Sequence, residues 1–157
     1  MIDTKRCKLR CFEEKDLDDF MTYRNNEDWM KYQGFKNLSK DEYRQALIVP
    51  LNIENGIQLA IANKVTDNLI GDIYLHKKDK TISIGYTINP FYSRKGYASE
   101  ILKALLPRLR EYYSDCRIIA TIEKDNIPSK NLLLKLGFWY DCFIDEFQEE
   151  VYVYQTD

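Results

Sequence analysis

The feature that most constrains this chain is the stretch ISIGYTINPFYSRKGYASEIL, which covers residues 82–102. Its first half alternates apolar and other residues, which predicts a strand with one face formed by Ile82, Ile84, Tyr86 and Ile88. Pro90 has no backbone donor, so strand pairing is expected to stop there and to leave backbone groups of residues 86–88 free. A short basic loop then enters a helix, whose free N–H groups favour an anionic ligand such as a phosphate.

The periodicity elsewhere predicts an α/β domain that spans residues 1–157. Strands alternate with helices, and Ser39 with Glu42 forms a capping box at a helix start. Pro107 is expected to kink its helix or to end it early. The predicted strands are 5–11, 57–62, 69–75, 81–88, 117–122, 138–144 and 150–155, and the predicted helices are 14–25, 40–49, 96–112 and 128–136.

Composition excludes several classes of function. A net charge of −2 over 157 residues argues against nucleic-acid binding driven by global charge. No run approaches the roughly 18 apolar residues that cross a bilayer, and the amino terminus lacks the apolar core of a signal peptide, so we expect no membrane association and a cytoplasmic location. Four scattered cysteines and a single histidine argue against a metal site.

A second polar cluster follows the strand predicted at 117–122. Asn126 and Ser129 stand at the start of the next helix, and Gly137 is placed to cap its end. Their ordinary role is capping. If the two strands lie side by side, however, two helix starts face one ligand across a cleft.

These two stretches, NPFYSRKGYASEIL and DNIPSKNLLLKLGF, together resemble the GNAT superfamily of acyl-coenzyme A N-acyltransferases, and most closely its ribosomal-protein alanine acetyltransferase branch. The resemblance extends over nearly the whole chain. It implies a mixed, mostly antiparallel sheet of six to seven strands, splayed between strands 81–88 and 117–122, with helices on both faces. It also implies acetyl-CoA as the acyl donor and no metal.

The resemblance also implies cofactor-binding residues. The family pattern, Gln or Arg followed by x-x-Gly-x-Gly/Ala, falls on residues 93–98, where Ser93 departs from the usual long polar side chain. Ile88 would lie along the pantetheine arm, and Asn126 and Ser129 would touch the cofactor. The residues that would cradle the pyrophosphate are Arg94, Lys95, Gly96, Tyr97, Ala98 and Ser99.

The sequence leaves the identity of the catalytic acid and base open. Many family members have a tyrosine as general acid where this chain has Leu133, so Ser129 or an ordered water is expected to protonate the thiolate. Because an alkylammonium with a pKa of about 10 must lose a proton before it attacks, a base is useful. Glu123, Glu146 and Asp72 are the candidates, beside a water relay or a substrate that arrives deprotonated.

The acceptor site is expected in the segment between the first two helices. Trp29, Tyr32 and Phe35 are candidates to wall it together with Asp72, although a helix-packing cluster is the better explanation for any one of the aromatic residues. The expected acceptor is a primary amine: a protein amino terminus, a polyamine, an amino acid or an aminoglycoside. The alternatives to an enzyme are a non-catalytic acyl-CoA sensor and a domain with a vestigial cleft. The aromatic carboxyl-terminal strands could pack on a partner chain, which leaves a homodimer open.

Overall fold

The computed structural model describes residues 2–154, which form eight strands and four α-helices. The strands are β1 (Ile2–Asp3), β2 (Cys7–Cys11), β3 (Ile57–Asn63), β4 (Leu69–Lys78), β5 (Thr81–Ile88), β6 (Arg117–Glu123), β7 (Phe138–Ile144) and β8 (Glu149–Tyr154). The helices are α1 (Leu17–Arg24), α2 (Lys40–Leu47), α3 (Tyr97–Tyr112) and α4 (Ile127–Lys135). Short 3₁₀ turns occupy Glu14–Asp16, Pro90–Tyr92 and Asp145–Phe147.

The strands form one mixed sheet in the order β1-β2-β3-β4-β5-β6-β8-β7. Within residues 2–154, all neighbouring strands are antiparallel except β5 and β6. That pair is in register only from Thr81 opposite Arg117 to Ser83 opposite Ile119, and then it diverges. The predicted mixed sheet is therefore confirmed, together with its splay.

The sheet has eight strands rather than the expected six to seven. The additional strand, β1, pairs Ile2 with Leu9 and Asp3 with Lys8. Two residues cannot show an alternating pattern, so a strand this short leaves no periodic signal in the sequence.

Helices cover both faces of the sheet, as expected. On one face α3 and α4 pack on a core that includes Ile73, Ile82 and Leu133. On the other face α1 and α2 pack on a smaller cluster that includes Phe20 and Ala60. The two faces separate because side chains alternate along each strand.

Local helix signals have mixed outcomes. The capping box is confirmed, since Ser39 Oγ accepts from Glu42 N at 3.2 Å and Ser39 N donates to Glu42 Oε1 at 3.0 Å. Gly137, at φ 97°, follows α4 in the left-handed conformation. The expected early end at Pro107 is wrong, because α3 continues to Tyr112. Pro107 lies on the exposed face of α3, where water can hydrate the carbonyl that loses its partner.

Candidate active site

The site begins as a wedge between β5 and β6. Asn89 N donates to Ile70 O at 2.8 Å, which directs the backbone groups of Asn89 toward β4. Because these directions alternate along a strand, the backbone groups of Tyr86 and Ile88 face the opposite edge, where β6 has already diverged. The wedge therefore presents strand-type donors and acceptors to an extended ligand.

At the end of the wedge, Arg94 and Gly96 shape a tight loop. Both have left-handed backbone conformations, with φ of 60° and 81° respectively. Glycine adopts this conformation readily, and at Arg94 it is uncommon. The loop enters α3 at Tyr97, so the free N–H groups of the first helical turn emerge beside the exposed Arg94 and Lys95. This arrangement suits an anionic group.

A partly exposed group of hydrogen bonds, the brace, joins the loop to Thr4 and Arg6, which precede β2. Arg6 Nη1 donates to Lys95 O at 2.9 Å, and the guanidinium lies 4.3 Å from the ring centre of Tyr97. Arg6 Nε in turn donates to Glu100 Oε1 at 2.6 Å. Thr4 Oγ1 donates to the other carboxylate oxygen at 2.5 Å, and Arg6 N donates to the same oxygen at 2.9 Å.

The brace affects the charge of Glu100. Partial burial by itself raises the pKa of this carboxyl, but the hydrogen bonds from Thr4 and Arg6 outweigh it and lower the pKa to about 2. Sequence inspection missed this pair, because Arg6 and Glu100 are 94 positions apart and Arg6 lies outside the two motifs.

The second junction, from β6 into α4, flanks the wedge. Asn126 Oδ1 accepts from Ser129 N at 3.4 Å, so Asn126 caps α4 as its ordinary role requires. Both side chains are half-buried. Leu133, where many relatives carry the acidic tyrosine, is buried in the core. Leucine has no proton to donate, so an acid would have to be another residue.

Tyr86 lies near Ser129 of this junction, and sequence inspection did not identify it as a candidate functional residue. Its hydroxyl is buried and has no hydrogen-bond partner among residues 2–154. Burial raises the pKa of Tyr86, and the nearby Ser129 hydroxyl opposes the rise by a smaller amount, although the two groups do not form a well-directed hydrogen bond. A tyrosine in a strand of isoleucines predicts core packing, so no sequence signal distinguished it.

The carboxylate candidates occupy different environments. Glu123 ends β6 and is half-buried, whereas Glu146 lies in the exposed turn Asp145–Phe147 after β7. Asp72 is fully buried in β4. Its oxygens accept from Arg24 Nη2 at 2.6 Å and from Tyr23 Oη at 2.5 Å. A carboxylate held in this way favours a structural role over that of a free base.

A cavity of about 440 Å³ opens on the α1 and α2 face of the sheet. Phe35 and Asp72, two of the four residues predicted to wall the acceptor site, line it. Trp29 and Tyr32 are not among its lining residues. Trp29 Nε1 donates instead to Ile88 O at 2.8 Å, so this indole contacts the wedge.

Two classes of site are not found in the described part of the chain. Residues 2–154 contain no group of three His, Cys, Asp or Glu side chains arranged to hold a metal ion. None of the helices described in the structure has the length and apolar character that a bilayer crossing requires.

Comparison with known proteins places the chain in a family. Residues 6–139 match the family model for the acetyltransferase (GNAT) domain. The uncharacterized N-acetyltransferase YnaD of Bacillus subtilis is 34% identical over 144 residues, which cover 90% of this chain and 84% of YnaD.

Solved structures give the same result. A GNAT-family acetyltransferase from Bacillus anthracis superimposes with a TM-score of 0.83 at 28% identity and covers 97% of this chain and 96% of its own. The ribosomal L7/L12 alpha-N-protein acetyltransferase RimL, in complex with coenzyme A, shares the fold with a TM-score of 0.81 at 15% identity, covering 96% and 94%. On the family model and the relatives together, this chain belongs to the GNAT family of acetyltransferases.

Proposed function

We propose that this chain transfers the acetyl group of acetyl-CoA to a primary amine on a small molecule or at a protein amino terminus. The observation that carries the proposal is the open wedge between β5 and β6, which ends at a basic loop and a helix start. The RimL neighbour is described as a protein alpha-N-acetyltransferase bound to coenzyme A, which supports the same use of the wedge here.

The residues around the wedge fit coenzyme A. The left-handed Gly96, the exposed Arg94 and Lys95 and the free N–H groups at the start of α3 suit its pyrophosphate. The backbone N–H of Ile88 and the backbone groups of Tyr86 suit the amides of the pantetheine arm, whereas Ile88 O already accepts from Trp29 Nε1. Further contacts are assigned to Tyr97, Ala98, Ser99, Asn126 and Ser129, which surround the two helix starts.

The chain's own residues must hold and move protons at two places. When bound, acetyl-CoA supplies an activated acetyl group as a thioester, which an unprotonated amine accepts. Glu123 and Glu146 are the candidates to take the proton from the amine. Tyr86 Oη, with Ser129 Oγ beside it, is the candidate to give a proton to the departing sulfur, because it keeps its proton at neutral pH.

The first test of the proposal is calorimetric titration with acetyl-CoA. We expect micromolar binding, which corresponds to about −8 kcal/mol. The Gly96→Trp variant should lose it, because an indole cannot be accommodated at a left-handed position in the loop without strain. If no binding is seen at millimolar acetyl-CoA, the enzyme and sensor hypotheses both fail, and only the hypothesis of a vestigial cleft remains.

Turnover separates the enzyme from the sensor. A panel of amines incubated with acetyl-CoA and protein should release coenzyme A with at least one acceptor. The sensor alternative rests on the leucine at position 133 and the serine at position 93. Tight binding without turnover of any amine would favour the sensor.

A further inference from the structure

The backbone carbonyl of Ile88 is already occupied where the cofactor wedge opens. β5 pairs with β6 only as far as Ser83 opposite Ile119, so Ile88 lies beyond the last paired residue of that edge. Ile88 O nevertheless accepts a hydrogen bond from Trp29 Nε1 at 2.8 Å. A side chain from outside the sheet thus pairs with an edge group that a neighbouring strand would otherwise bind.

The direction of this carbonyl shows on which side of β5 the indole lies. Asn89 N donates to Ile70 O of β4, and backbone directions alternate along a strand, so Ile88 O points away from β4 and toward β6. The donor of a hydrogen bond to a carbonyl lies near the plane of the carbonyl group, along its lone-pair directions. The Trp29 N–H therefore lies on the side of β5 where the wedge opens, which is the side proposed for the pantetheine arm.

An extended ligand and Trp29 need the same backbone group. The N–H and C=O of one strand residue point to the same side, and a ligand amide that pairs with Ile88 as a strand does uses both of them. Each amide of the pantetheine arm has one N–H donor and one C=O acceptor, whereas the indole of Trp29 offers a donor alone. The indole therefore replaces half of the pairing that the arm would make with Ile88.

The Trp29 side chain can leave without unfolding the segment that carries it. This segment, residues 25–39, connects α1 to α2 and is held by other contacts: Met30 is fully buried, and Asn37 N donates to Asn25 Oδ1 at 2.7 Å. The Trp29 side chain is 39% exposed, so its N–H can donate to water once the bond to the carbonyl breaks. Its release therefore costs about one hydrogen bond and a side-chain rotation.

We propose that Trp29 is an internal competitor of coenzyme A, which holds Ile88 O in the free protein and is displaced when the pantetheine arm pairs with β5. This inference rests on the proposed function, because it requires that coenzyme A binds in the wedge. It adds that a residue of the chain itself, which the arm must displace, lowers the affinity for the cofactor. Ligands of the basic loop that lack the arm do not meet this competition.

Calorimetry with two ligands tests the competition. Trp29→Phe keeps an aromatic ring but removes the N–H, so coenzyme A should bind this variant about fivefold more tightly than the wild type, the effect of one hydrogen bond. Adenosine 3′,5′-bisphosphate carries phosphates but no pantetheine arm, so its affinity should be the same for both proteins. Trp139→Phe, at an exposed position of β7, makes the same change away from the wedge and should alter neither affinity.

The indole N–H gives a direct readout in the wild-type protein. The chain has two tryptophans, so a ¹⁵N correlation spectrum shows two indole signals, and Trp139→Phe assigns them. As coenzyme A saturates the protein, the Trp29 signal should move toward the position of a water-exposed indole, and its hydrogen exchange should accelerate. Adenosine 3′,5′-bisphosphate should leave that signal in place.

Two results would overturn the inference while the proposed function stands. The first is that Trp29→Phe weakens coenzyme A binding or leaves it unchanged. The second is that the Trp29 N–H stays protected in the saturated protein, since the indole would then support the bound arm rather than compete with it. If coenzyme A binds neither the wild type nor the two variants, the proposed function fails together with this inference.

Discussion

At the scale of single residues, the environment of Tyr86 is the most informative for the proposed proton transfer. Its backbone faces the wedge and its hydroxyl is buried beside Ser129 without a well-directed partner. A hydroxyl in this position keeps its proton at neutral pH and has no structural bond to lose. We therefore propose it for the general-acid role that the buried Leu133 cannot supply.

We predict that Tyr86→Phe lowers kcat roughly 100-fold, the usual contribution of a general acid. The affinity for acetyl-CoA and the melting temperature should stay unchanged, because the lost hydroxyl has no hydrogen-bond partner among residues 2–154. Steady-state kinetics, calorimetry and thermal unfolding measure the three effects.

Tyr112→Phe, at an exposed position of α3, is the matched control for the loss of a phenolic hydroxyl. A Tyr86→Phe enzyme with full kcat would contradict the assignment and return the role to Ser129 or to water.

At the scale of elements, the cofactor loop depends on contacts between distant segments. The loop before α3 contains two left-handed residues, and an isolated loop of this kind would sample many conformations. Arg6, just before β2, donates to the Lys95 carbonyl and forms an ion pair with Glu100 in the first turn of α3. The strand, the loop and the helix start thus form one unit whose N–H groups are already oriented for an anion.

The charge of Glu100 leads to a prediction about pH. Its folded-state pKa, about 2, lies below the ordinary value of 4.5, so the carboxylate stabilises the fold above pH 4.5 and loses this contribution as the pH falls toward 2. Urea unfolding of the wild type should therefore lose up to about 3 kcal/mol across this window from this group.

Glu100→Gln isolates that contribution, since it keeps the shape of the side chain and removes its titration. The difference in unfolding free energy between wild type and variant should shrink from neutral pH to pH 2. A difference that stays constant over this range would show that the brace does not depend on the charge.

At the scale of the whole molecule, the carboxyl-terminal edge of the sheet is unusually open. β7 is the edge strand, and most of its side chains are exposed on both faces. Trp139 is 66% exposed, and Tyr140, Phe143 and Phe147 are also exposed. Exposed aromatic patches and uncovered edge strands commonly mark association surfaces.

The sequence left a homodimer open, and we now predict that a second copy of the chain covers β7. Sedimentation velocity at micromolar concentration should give twice the 18.7 kDa mass of one chain, and Trp139→Lys should shift it to the monomer. Tyr112→Lys, on the exposed side of α3, should leave the dimer intact. A monomeric wild type at 100 μM would contradict the prediction.

Much of the architecture was predictable because it is encoded locally. Alternation located the strand Thr81–Ile88 at its observed bounds, and the Ser39–Glu42 box located the start of α2. The outcome at Pro107 shows the limit of local rules, since packing of the leucines on either side of the proline keeps α3 helical. Candidate cofactor residues could be named from the family resemblance because they lie in two contiguous motifs, and their role stays a prediction.

The sequence by itself determined the class of sheet, the two strand-to-helix junctions and the loop that offers an anion site, because each depends on residues that are neighbours along the chain. Only the tertiary structure decided which polar side-chain groups form hydrogen bonds and which remain without a partner. Arg6 with Glu100, Tyr86 with Ser129 and Arg24 with Asp72 are each separated by more than 40 positions. The atoms left unpaired by such contacts, Tyr86 Oη, Arg24 Nε and Thr87 Oγ1, depend on how distant segments pack, which no local pattern specifies.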